Sequence, residues 1–265
     1  MDLNLFHWNY TVYTAAIICG DGVEVFWEEA LRGATNDWIH TTNEIFLTWK
    51  GHHLDLQEKV TRFHSSLLKG SVEGIDLSIL IKPRRLHFTL GVMSLSSSSN
   101  GHPRGSNRDS ANPSSSSAHT VESALELLRS LQPQLSMLCS IGKTGSLQAS
   151  LEKVGTFGTN KGSRVLWASP REDEEGWSES EGDREERLKL VRVAEMVHQA
   201  FKDAKYIIEE RPLKAVSSAS DGTVRVSLGT YDIPEIQLCA MGSHGPEDQY
   251  ISLGGVSFSD DVGQR

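Results

Sequence analysis

Lys82-Pro83-Arg84-Arg85-Leu86-His87-Phe88-Thr89-Leu90-Gly91-Val92-Met93-Ser94-Leu95 is the stretch that decides how this 265-residue chain reads. Leu86, Phe88 and Leu90 alternate with His87, Thr89 and Gly91, the period of a strand with one buried face. An imidazole and a hydroxyl two residues apart therefore project together. A histidine titrates near neutrality and can give or take a proton in phosphoryl transfer. A threonine hydroxyl can donate a hydrogen bond to a phosphate oxygen. Gly91, next on that face, is expected to leave it open for a ligand. Three residues alone would more often mean an ordinary histidine, so the surroundings have to carry the case.

Upstream, Leu56, Val60, Phe63 and Leu67 fall on one face of a helix that begins near Leu54, with Gly70 as a stop. Ile75 to Ile81 reads as an apolar approach to the strand. Downstream, Ser94 to Ser117 holds eleven serines in 24 residues with Pro103 and Pro113. It offers too little apolar surface to order itself and reads as a disordered insertion. A second helix opens at Val121, with Ala124, Leu125, Leu128 and Leu131 on one face, and is expected to end at Pro133. Leu147 to Leu151 and Val165 to Trp167 read as short strands with a Gly/Thr/Asn turn region between them.

From 171 to 187, nine acidic residues stand against three basic ones, and the stretch reads as a solvated loop. Leu190, Val193, Ala194, Val197 and Phe201 mark a third helix. Val224 to Leu228, Glu235 to Ala240 and Tyr250 to Phe258 read as closing strands, with a turn over 241–246. Strands and helices in this mixed order, without regular βαβ units, indicate an α+β fold. Residues 1 to about 45 are rich in aromatics without a sustained period. They stay unassigned, with sequence foreign to the domain the preferred reading.

Composition narrows the function classes. Apolar residues make up 38%, and the formal net charge is −9, most of it from 171–187. A broad cationic nucleic-acid surface is excluded, although a small basic site is not. Cys19, Cys139 and Cys239 are odd in number and unpaired in spacing, which fits a reducing compartment and argues against a disulfide framework or a zinc site. No basic leader or bilayer-length apolar run is evident. The expectation is an intracellular protein, cytoplasmic or nuclear, without a membrane partner. Gly142-Lys143-Thr144 lacks the upstream glycine of a phosphate-binding P-loop, since Met137 stands there. His52, His53, His64, His102 and His119 show no metal-ligand spacing, and His198 and His244 read as a helix-face and a surface residue.

The 82–95 run resembles the first motif of the two-histidine (2H) phosphoesterase superfamily, and most of all its A-kinase anchor protein 7-like domain, shared with the activating signal cointegrator 1 complex subunit 1. The flanking helices follow the order of that branch. So do Ser146-Leu147 through Gly155-Thr156-Phe157, Arg164-Val165-Leu166-Trp167 and the closing Glu235-Ile236-Gln237-Leu238-Cys239-Ala240-Met241-Gly242. The resemblance spans roughly residues 54 to 258. We take 46–258 as the domain and 259–265 as a tail.

The resemblance implies a LigT-like fold of two lobes, with mixed or antiparallel sheets flanked by helices. Each lobe would bring one His-x-Thr to a central cleft. One histidine would act as base and the other as acid on a 2′,3′-cyclic or RNA-terminal phosphate, the threonines would hold that phosphate, and no metal or other cofactor would be needed. His87 and Thr89 would be one half of such a catalytic site. The partners implied are RNA or a nucleotide with such a phosphate, and a protein complex of the signal cointegrator type.

The second half departs from the pattern. Arg211-Pro212-Leu213-Lys214 is present, but Ala215-Val216-Ser217-Ser218 follows where the family places its second His-x-Thr, so the second lobe is expected to be incomplete. Val224-Arg225-Val226-Ser227-Leu228-Gly229 has the form of 86–91, with Arg225 and Ser227 in the histidine and threonine places. They are candidate substrate-binding residues, but arginine stays protonated and makes a poor base. Loss of one acid–base group lowers a rate by roughly 10²–10⁴-fold. Three readings stay open: a phosphoesterase of reduced activity, a non-catalytic RNA- or nucleotide-binding or complex-subunit module, and an incomplete product with a compromised fold.

Overall fold

The first helix, α1 (Leu54–Lys69), forms where the apolar spacing predicts it. Leu56 and Val60 are buried, and Phe63 and Leu67 pack partly buried against the same core. The computed structural model describes residues 15–19, 42–48, 53–70, 80, 82–95, 119–141, 146–159, 162–170, 180–207 and 224–258. The approach run over 75–81, apart from Leu80, and the serine-rich insertion beyond Leu95 lie outside these residues. So do Ala215 to Ser218 and the tail.

Helix α2 (Val121–Ser130) starts at a capping box. The Thr120 hydroxyl accepts the Ser123 N–H at 3.2 Å, and the Ser123 hydroxyl oxygen accepts the Thr120 N–H at 3.0 Å. The helix stops at Ser130, shortly before Pro133, as its ring predicts. Pro133 sits in the first turn of a new helix, α3 (Gln132–Ser140), where a missing N–H costs nothing. Helix α4 (Glu181–Asp203) begins well before Leu190, capped by Ser180, whose hydroxyl accepts the Asp183 N–H. Residues 181–187 of the expected acidic loop are therefore helical. Glu181 and Asp183 gain there from the positive end of the helix dipole.

The strands are β1 (Ala15–Cys19), β2 (Thr42–Thr48), β3 (His87–Ser94), β4 (Leu147–Thr159), β5 (Gly162–Ser169), β6 (Val224–Ile233), β7 (Glu235–Ala240) and β8 (Ile251–Ser257). They form one sheet in the order β6-β4-β5-β1-β3-β2-β7-β8, and every pairing within it is antiparallel. With the four helices of the described residues, the fold is α+β and compatible with a LigT-like architecture. The sheet has two groups of strands, β6-β4-β5 and β3-β2-β7-β8, that meet through β1. The foreign-sequence reading of 1–45 fails for Ala15–Cys19, which pair along β5 and touch β3 with Ala15 opposite Phe88. The expected turn between Leu151 and Val165 also gives way to a long hairpin. Gly155, Thr156 and Phe157 pair with Trp167, Leu166 and Val165, as the β propensity of threonine and phenylalanine favours.

The core fills between sheet and helices. Phe88, Leu90, Leu128, Leu135, Leu147, Leu151, Leu190 and Phe201 are all fully buried. Helix α4 lies against β4 and β3, and α2 lies against β8. This packing fixes β3 from its apolar side and leaves its other side to carry His87 and Thr89.

A bulge changes the phase of β3. Phe46 pairs with Thr89 and Ile45 with Gly91, so Leu90 is the extra residue. Phe88 and Leu90 are buried before it, and Met93 and Leu95 after it. Gly91 therefore falls on the apolar face, opposite Ile45, and not beside His87 and Thr89 as strict alternation predicts.

Candidate functional site

His87 opens β3 directly after a single 3-10 turn, Pro83–Arg85. That turn brings the Arg85 carbonyl 2.6 Å from His87 Nδ1. A carbonyl only accepts, so Nδ1 carries the proton. In the neutral ring Nε2 then holds a lone pair, and it faces the Thr89 hydroxyl at 3.1 Å. Burial pushes the His87 imidazole down to about 4. The Arg85 carbonyl opposes that shift, and the Arg85 positive charge adds to it. At neutral pH the ring is a base in its free form, though a weak one.

Tyr250 covers the imidazole with its ring nearly perpendicular, the centroids 5.2 Å apart. The Arg85 guanidinium stacks on the same tyrosine at 5.0 Å. Arg85 Nε donates to the Asp248 carbonyl at 2.7 Å, and Nη2 donates to the Ser243 carbonyl at 3.1 Å. The Arg85 guanidinium also meets the His244 ring and pairs with the Asp248 carboxylate at 3.3 Å, while Arg84 pairs with Glu247. The 241–250 turn is thus tied to the residues just before the motif. His244 is exposed, as expected, yet it belongs to this tie. Its hydrogen bond is the main cause holding the Asp248 carboxyl below the usual range.

Register places further polar groups on the face of His87 and Thr89. Thr48 lies opposite His87 and Glu235 opposite Thr48; Phe46 lies opposite Thr89 and Gln237 opposite Phe46. Glu235 is buried and accepts from Gln237 Nε2 at 2.5 Å. Two strand steps of about 4.8 Å separate it from His87, roughly 10 Å. The alternation Glu235, Gln237, Cys239 carried this signal in the sequence. The contact between Arg85 and 243–248 left only opposite charges far apart in the chain.

Arg225 and Ser227 are not brought to this site. Both are exposed on β6, where with Glu152, Val226, Gly229 and Thr230 they line a depression of about 270 Å³. Strands β4, β5 and β1 stand between β6 and β3. Four steps of about 4.8 Å make roughly 19 Å along the sheet.

Cys139 and Cys239 are buried and free of disulfides, and burial pushes the Cys139 thiol up to about 11. Among the described residues, no group of three or more His, Cys, Asp or Glu could hold a metal ion, and no helix is long and apolar enough to cross a membrane.

No curated protein matches the chain. Residues 46–103 match the family described as AKAP7 2'5' RNA ligase-like domain. The matched region starts in β2 and takes in α1, the 3-10 turn and all of β3 with His87 and Thr89. Over residues 46–103, then, the chain is similar to the AKAP7 2'5' RNA ligase-like domain family, a match consistent with the two-histidine phosphoesterase superfamily that its His87–Thr89 motif resembles.

Proposed function

We propose that the chain binds RNA or a nucleotide ending in a 2′,3′-cyclic or terminal phosphate at His87 and Thr89, and turns it over slowly or not at all. The observation that carries this reading is the pair itself: a lone pair on His87 Nε2 and a hydroxyl on Thr89, 3.1 Å apart on one strand face. The hydroxyl can turn from the imidazole to a phosphate oxygen, which frees Nε2 to take a proton from an attacking water. A phosphate's charge beside the ring also favours its protonated form, which would then hold the phosphate by a charged hydrogen bond.

Slow turnover is the reading because the second His-x-Thr of the family pattern is missing from the sequence after Lys214. In-line displacement needs a second group to protonate the leaving oxygen. Arg225, the candidate from sequence, sits roughly 19 Å away along the sheet and stays protonated. The test is incubation of the purified chain with a 2′,3′-cyclic nucleotide, alongside His87→Ala. Binding that the substitution abolishes, without rapid product formation, is the expected result. Rapid turnover abolished by the substitution would make the chain an efficient phosphoesterase instead. Neither binding nor turnover by a cooperatively folded chain would reject the reading.

A further inference from the structure

We infer that His198 is a positioning residue for the phosphate site, acting on Thr89 through the backbone of Leu90. The inference rests on the reading of His87 and Thr89 given above. Leu90 is the bulged residue of β3, immediately after Thr89 in the chain. A bulge leaves its extra residue out of the ladder, bends its strand and re-aims the side chains beside it. Here the Leu90 carbonyl accepts a hydrogen bond from His198 Nδ1 at 2.7 Å. The acceptor is a carbonyl, so His198 carries its proton on Nδ1 and donates it across from α4 to β3.

His198 is held well for this task. Its neighbours Val197 and Phe201 are fully buried, as is Ala194 one turn earlier, so α4 cannot slide relative to the sheet without opening the core. The Leu90 side chain is equally fixed at 0% exposure. What remains adjustable is the Leu90–Gly91 peptide that carries this carbonyl, one residue after Thr89, and a turn of it is passed back through Leu90 to the Thr89 backbone. Removal of the His198 donor would let that peptide turn within the bulge. That motion would rotate the Thr89 hydroxyl away from His87 Nε2.

A plain helix-to-sheet tie would lower stability and leave affinity alone, so affinity and stability have to be read separately. The variants are His198→Leu, which has no donor, and His198→Asn, whose amide nitrogen takes the place of Nδ1. The probe is a short RNA ending in a 2′,3′-cyclic phosphate. Affinity should fall about tenfold in the leucine variant, the worth of one hydrogen bond, and largely return in the asparagine variant. Wild-type affinity in a folded leucine variant, or equal loss in both, would overturn the inference. The Thr89 methyl resonance without ligand separates this from failure of the site reading. It should move in leucine and not in asparagine even if the wild type ignores the probe. If the leucine variant does not fold, His198→Gln, which displaces the donor by one methylene, should shift the resonance, and an unmoved resonance there would overturn the inference.

Discussion

The carbonyl of Arg85 accepts a hydrogen bond from His87 Nδ1 at 2.6 Å, and this one contact decides which nitrogen of the imidazole faces Thr89. The donor side of the ring is used up on the chain's own backbone. The basic side is left to the face where a phosphate would sit. Buried as it is, the ring stays neutral until the pH falls to about 4.

That depression makes stability depend on pH. Protonation of His87 is disfavoured in the folded chain relative to its ordinary value of 6.5, so the unfolded chain takes up the proton first. The contribution is complete above about pH 6.5 and is lost as the pH falls toward 4, to a total of about 3 kcal/mol. Urea unfolding of the wild type and of His87→Gln between pH 4 and 7 measures it. The difference in slope between the two curves should be confined to that window, and parallel curves would contradict it.

Arg85 lowers the His87 pKa through its charge and fixes the 241–250 turn through two carbonyls. Arg85→Ala should therefore raise the His87 midpoint above 4, because both the charge and some of the burial go. Stability should drop by about 2 kcal/mol, the scale of hydrogen bonds from a charged donor. An NMR titration of the His87 ring reads the first effect, and a midpoint that stays put or falls would count against it.

Gly229 holds β6 in a conformation other residues rarely adopt, at φ 110°. A Cβ there would lie 2.9 Å from the Tyr231 hydroxyl and 3.1 Å from Lys59 Nζ. Both groups belong to a cluster in which Lys59 pairs with Asp55 at 2.7 Å and Tyr231 donates to Asp55 at 3.1 Å, joining α1 to β6. Gly229→Ala should cost about 1–3 kcal/mol, from backbone strain and the displaced cluster. A denaturation midpoint equal to wild type would show that the strand has another way to accommodate the methyl.

Local periodicity made α1, α2, the later turns of α4 and β3 legible, because apolar residues at fixed spacing report one buried face directly. The bulge at Leu90 was harder. Its mark is the parity change from Phe88 and Leu90 to Met93 and Leu95, but apolar Val92 between them continues the old alternation and hides the change. Ala15–Cys19 is too short to show a period, and its place between β5 and β3 depends on pairing partners more than 70 residues away. The Arg85 contacts with Ser243 and Asp248 join residues about 160 apart, which no local pattern reports. Arg225 and Ser227 matched in local form. Strand order, a long-range property, then separated them from His87 and Thr89.

The most direct test of the phosphate site compares two RNAs of the same sequence, one ending in a 2′,3′-cyclic phosphate and one in free hydroxyls. Equilibrium binding is measured to the wild type, His87→Ala and Thr89→Ala. The wild type should prefer the phosphate end by about tenfold or more, the worth of one to two hydrogen bonds to a charged group. Each substitution should remove most of that preference without altering affinity for the hydroxyl end. Equal affinity of the wild type for the two RNAs, or a preference that survives both substitutions, would contradict a phosphate site at His87 and Thr89.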